Sequence, residues 1–166
     1  MKLRISLLIL SLLSGTFLSA QDLKISSEDI NKMIGHWEGS LRYIDYSSGQ
    51  PYQMPCNLDV EKGKSNFELN FIQSYPNEPH ANKKGKFKFA SEGSEIDGHD
   101  IVSRTDLDGE EVEYVVEYEG KDDNKKALIR LTYIIGPDVF VQKKEVQFEP
   151  QGDWMVRNTF SYIKGK

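Results

Sequence analysis

From Trp37 onward, apolar and polar residues alternate with a period of two. Trp37, Gly39, Leu41 and Tyr43 fall on one side, and Glu38, Ser40 and Arg42 on the other. Such alternation predicts a strand with one face on a core and one in water. It recurs at Cys56, Leu58 and Val60 against Asn57, Asp59 and Glu61, and at Phe67, Leu69 and Phe71 against Glu68 and Asn70. Lys86-Phe87-Lys88-Phe89 alternates sharply, and Ile96 sits in a short strand between turn residues. The cleanest run is Val112, Tyr114, Val116 and Tyr118 against Glu111, Glu113, Glu117 and Glu119. Residues 127–135 are apolar on both faces, so the pattern leaves their orientation open. Trp154, Val156, Phe160 and Tyr162 mark the inward face of the last strand.

Turn residues separate these runs: Ser47-Ser48-Gly49, Lys62-Gly63-Lys64, Asp108-Gly109, Asp122-Asp123-Asn124, Gly136-Pro137-Asp138 and Gln151-Gly152-Asp153. No helical period lies between strands, which excludes parallel crossovers. The pattern predicts an all-β fold, an antiparallel up-and-down meander. Closing it into a barrel of about 8–10 strands removes the exposed edges. One helical signal precedes it. Ser26 is placed to cap a short helix, with Ile30, Met33 and Ile34 on one face and Gly35 at its end. A helix this short needs a surface to cover, and the end of the barrel offers one. Residues 75–84 form the longest break and contain Pro76, Asn77, Pro79 and Asn82.

The start of the chain reads differently. Lys2 and Arg4 precede an apolar run at 5–13, and Ala20 is a small residue before Gln21. This predicts a signal peptide at 1–20 and a single barrel domain at 21–166, secreted or periplasmic. The net charge of −5 becomes −7 once Lys2 and Arg4 are removed. An acidic surface argues against nucleic acid as a partner. No later apolar run has the length of a membrane helix, so no membrane insertion of the mature chain is expected. Cys56 is the single cysteine, which excludes an internal disulfide.

Gly35-His36-Trp37, the preceding short helix and the meander together resemble the lipocalin-like, or calycin, group. Thr105-Asp106 is similar to a second lipocalin motif, with Leu107 where that family carries an aromatic. The resemblance implies a barrel whose Trp37 closes one end and packs beside an Arg of the last strand, a role that falls to Arg157. The chain lacks the family's C-terminal helix and disulfide, so it looks like a short bacterial lipocalin-like domain. The resemblance implies no particular activity.

The chemistry-bearing residues are few. His36, His80 and His99 are too scattered for a metal-ligand set. One of them could be a haem ligand, as in some calycin-like proteins, but polar surface residues account for all three. Cys56 faces inward. It is either a small buried hydrophobe or a reactive thiol, and the sequence places no base or cation beside it. Asp106, Asp108, Glu110 and Glu111 form an acidic turn without the spacing of a calcium loop. No catalytic residues, metal site or cofactor is therefore expected.

The inward aromatics either fill the barrel or line a cavity. We expect a small, mostly hydrophobic ligand against Tyr43, Cys56, Leu58, Leu69, Phe71, Phe87, Phe89, Tyr114 and Val116. The alternatives are an envelope interaction module with a filled barrel, or a thiol-dependent enzyme using Cys56. Connections of a meander alternate between ends, so the loop at 75–84 falls at the end away from Trp37 and edges the entrance.

Overall fold

The computed structural model describes residues 23–45, 47–148 and 152–166. The expected signal peptide lies outside them. Helix α1, Ser27–Lys32, starts where Ser26 accepts a hydrogen bond from the Asp29 amide. Eleven strands follow among the described residues: β1 Gly35–Ile44, β2 Pro51–Pro55, β3 Asn57–Lys62, β4 Glu68–Ser74, β5 Lys83–Lys88, β6 Glu95–Ile96, β7 His99–Asp106, β8 Val112–Asp122, β9 Lys125–Ile135, β10 Val139–Phe148 and β11 Met155–Lys164. All pairings are antiparallel, and neighbours in sequence are neighbours in space. β2 and β3 are one strand. Pro55 lies opposite Ser40, and Leu58 opposite Trp37, three residues on along both chains, so no register is lost at Cys56. The Cys56 amide donates to the Gly39 carbonyl across the junction (2.9 Å).

The barrel closes where β1 pairs with β11, from Trp37 opposite Lys164 to Tyr43 opposite Asn158. The seam between β5 and β6 is weaker. It consists of a bridge between Phe89 and Ile96, and of Asp97, whose amide and carboxylate both bond the backbone of Lys88. β7 begins at His99, whose ring stacks on Tyr118 (3.7 Å), whereas β8 continues to Asp122. Beyond that level β5 pairs with β4 alone among the described residues. Lys83, Lys84, Lys86 and Lys88 line this edge, and a row of lysines discourages pairing with another strand.

The two halves of the interior differ. At the α1 end, Trp37, Tyr114, Val116, Tyr133, Ile135 and Phe140 are fully buried, with Ile30 and Met33 beneath them. At the other end, the inward-facing Leu41, Tyr43, Gln142, Lys144 and Phe160 are only half-buried. No helix among the described residues is long and apolar enough to cross a membrane.

Two expectations are corrected. First, the inward face of β11 is not continuous. A β-bulge opposite Lys144 places both Arg157 and Asn158 against one residue of β10. The extra residue reverses the alternation. Val156 is therefore exposed, and Trp154 packs outside, its ring 3.9 Å from the Arg130 guanidinium. Second, the cation beside Trp37 is Lys164, not Arg157. The Lys164 ammonium sits 4.1 Å from the centre of the Trp37 ring. It donates to the carbonyls of Lys32 (3.1 Å) and Ile34 (2.6 Å), closing the C-terminal end of α1. The Trp37 indole N–H donates to the Met33 carbonyl (2.8 Å).

Candidate functional site

At the end away from Trp37, the half-buried inward positions open into a cleft of about 340 Å3. Leu41, Tyr43 and Ile44 come from β1, Met54 from β2, and Asn158 and Phe160 from β11. Tyr75, Glu78 and Ala81 come from the loop after β4, which turns through a 3-10 segment at Pro79–Ala81. Asn82 holds the start of this loop by accepting from the Tyr75 amide (2.8 Å). The loop thus edges the cleft at the end that strand alternation assigns to it. A larger hollow of about 420 Å3 lies on the outer face of β3, β4 and β5. Its lining combines the outward-facing Asp59, Glu61, Asn70, Ile72, Lys84 and Lys86 with Gly85 and the ring of Phe71, one of the residues expected to line a cavity.

Beneath the cleft lies a buried polar network. The Gln73 amide donates to the Tyr162 hydroxyl (2.8 Å) and to the Cys56 sulfur (3.4 Å), and that hydroxyl lies 3.4 Å from the same sulfur. Burial, then the neighbouring Cys56, pushes the Tyr75 phenol up to about 12. Tyr162 is raised for the same reasons. Both phenols are thus neutral at ordinary pH, and a neutral phenol can be buried at modest cost when it is hydrogen-bonded.

A charged cluster lies at the same end. The bulge aims Arg157 inward, and its Nε donates to Asp122 (3.1 Å). Lys144 donates to the other oxygen of that carboxylate (2.7 Å). Asp122 reaches this place from the end of β8, where Asp123 and Asn124 turn the chain with positive φ in a two-residue hairpin. Asp122 and Arg157 are both buried. Lys83 projects inward from β5, opposite Gln73, and its ammonium lies 5.8 Å from the Phe160 ring.

Of the residues expected to line a cavity, Tyr43 lies in the cleft wall. Cys56, Leu58, Leu69, Phe87, Phe89, Tyr114 and Val116 are buried deeper in the core. Phe71 packs on Phe87 (4.8 Å) and covers Gly85, where a Cβ would collide with its ring. The alternation placed these side chains inward but carries no information on height along the barrel. Met54, Tyr75, Ala81 and Phe160 complete the cleft. Met54 and Phe160 had a signal in inward parity, whereas Arg157 had none, because its parity is set by the bulge. His36 pairs with Asp59 on the surface (2.6 Å), and no group of three or more metal-binding side chains occurs among the described residues.

No protein-family model matches this sequence, and no curated protein matches it. Solved structures do. That of Rv2717c from M. tuberculosis superposes with a TM-score of 0.57 at 10% identity, covering 86% of this chain and 99% of that one. The likeness shows a shared barrel fold. The S-type phycobiliprotein lyase CPES from Guillardia theta gives a TM-score of 0.45 at 11% identity, over 87% of this chain and 95% of that one.

Proposed function

We propose that this chain is an exported lipocalin-like protein of the short bacterial type that binds a small, mostly hydrophobic molecule. The observation that carries the reading is the cleft itself. Its 340 Å3 falls within the roughly 300–1,000 Å3 of small-molecule sites. Leu41, Ile44, Met54 and Phe160 supply apolar wall, while Tyr43, Tyr75 and Asn158 supply a few polar groups for orientation. The ligand sits at the mouth, above the packed core, rather than in a hollow running the length of the barrel.

The export reading rests on the charged start, the apolar run at 5–13 and the small residue at Ala20. Intact mass of the exported protein tests it; a mass retaining residues 1–20 overturns it. The binding reading is tested with Nile red, a neutral apolar dye. Its emission should rise and shift to the blue with saturable binding, and Leu41→Trp, which fills the cleft, should remove that signal. Absence of saturable binding in the unaltered protein would leave the loops at the open end as the functional surface.

A further inference from the structure

We propose that the open edge of β5 takes up an acidic segment of another protein, which adds to the sheet as an antiparallel strand. This surface lies on the barrel wall and is independent of the cleft. The bonding pattern of the ladder fixes which groups are on offer. The Phe89 amide donates to the Phe67 carbonyl (2.9 Å). In an antiparallel ladder such bonded pairs recur at every second residue, so Phe87, Gly85 and Lys83 turn their amides and carbonyls to β4. Those of Lys84, Lys86 and Lys88 point the other way. Asp97 meets Lys88: its amide donates to the Lys88 carbonyl (2.7 Å), and its carboxylate accepts from the Lys88 amide (2.8 Å). Lys84 and Lys86 continue the same edge, and among the described residues no strand pairs with them there. They present two amides and two carbonyls in a row, the template that strand addition uses.

Charge decides what kind of strand fits. β5 reads Lys-Lys-Gly-Lys-Phe-Lys, with no acid, in a chain of net charge −5. A second copy joined edge to edge through β5 would set lysine against lysine, which is destabilising. An acidic strand sets carboxylates there instead. Residues directly opposite share a face, and Lys84 and Lys86 are exposed on the outer one. The incoming strand therefore needs acidic side chains at two alternate positions, opposite Lys84 and Lys86. The residue between them lies opposite Gly85, on the face where the Phe71 ring covers that glycine, and an apolar side chain suits it. Glu68 pairs with Lys86 (2.8 Å), and Asp59 and Glu61 stand across the outer hollow on β3. The pair with Glu68 is at the surface, where such contacts exchange at little cost. Polyanions without N–H groups match the lysines but leave the two edge carbonyls unmet, which favours a peptide.

A fluorescein-labelled peptide of alternating Glu and Val, followed by anisotropy at about pH 7.5, where Glu and Lys are both charged, tests the assignment. In the proposed register the Glu residues turn their backbone to β5 and the Val residues turn theirs away. N-methylation of the Glu amides should weaken binding roughly tenfold or more, and N-methylation of the Val amides by less than about twofold. Lys84→Gln should weaken binding several-fold by loss of charge. Lys84→Pro also removes an edge N–H and should weaken it further; proline is tolerated there because that N–H does not face β4. Where Lys84→Pro fails to fold, the two methylated peptides on the unaltered protein carry the test. Equal weakening by both methylation patterns, or equal binding of polyphosphate, shows attraction of polyanions only and overturns the strand addition. Failure of the peptide to bind overturns it too. A dimer that Lys84→Pro dissociates would make a second copy the occupant and overturn the acidic partner.

Discussion

The contact between Trp37 and Lys164 holds the closed end together. The indole is fully buried, hydrogen-bonded to Met33 and covered by an ammonium that also caps α1. Trp37→Ala should cost about 3–5 kcal/mol, as large aromatic truncations do, measured as a loss in the denaturant midpoint at constant m-value. Lys164→Met keeps the aliphatic stem but removes two charge-assisted hydrogen bonds, and should cost about 1.5–3 kcal/mol. Trp37 was legible in the sequence because a glycine-flanked tryptophan opens the first strand. Lys164 was not. The family resemblance directs attention to an arginine, and Arg157 lies seven residues, or about 23 Å, farther along β11. Register decides between them, and register depends on pairing across the whole chain. Cys56 likewise showed its inward direction but not its depth. It is fully buried among Gln73 and Tyr162, so a thiol reagent should modify it only after unfolding. Rapid modification of the native protein would contradict that placement.

Among the elements, α1 depends most on one carboxylate. Asp29 accepts from Ser26 (2.6 Å), Lys32 (3.1 Å) and Tyr114 (2.8 Å), which ties the helix to the floor of the barrel. Burial pushes its carboxyl up, but hydrogen bonds from Ser26, Tyr114 and Lys32, with the Lys32 charge, outweigh burial and leave it below the usual value. A carboxyl lowered on folding adds stability that is full above the unfolded value of about 3.9 and fades as pH falls through the folded value. The stability gap between wild type and Asp29→Asn should therefore be constant near neutrality and narrow below about pH 4. A gap that does not change down to pH 2 would count against this role. β1 carries a different constraint. A Cβ on Gly39 would run into the Ser161 carbonyl and come within 2.8 Å of the Tyr162 ring. Gly39→Ala should destabilise by about 1–3 kcal/mol, as overpacking does, read by thermal or chemical unfolding. The helix and most strands could be read from periodicity because each buries one face. β9 could not be oriented, since Leu128 and Ile134 on its outer side are as apolar as Ile129 and Ile135 on its inner side.

At the scale of the molecule, the barrel divides into a packed half and an open half. Large side chains fill the α1 end, while half-buried positions, a polar network and inward charges occupy the other. The sequence could show that a barrel closes and which face of each strand looks inward. It could not show where the filling stops, because that depends on tilt and on the bulge at Arg157. Nor could it show that Asp122 and Lys144 face inward, since charged residues at inward positions read as breaks in the pattern. The most direct test of this division is a methyl-resolved NMR titration with Nile red. Shifts concentrated on Leu41, Ile44, Met54 and Ala81, with Leu58, Leu69 and Val116 unmoved, are the predicted result. Shifts concentrated on Leu58, Leu69 and Val116 instead, or on none of these methyls, would contradict it.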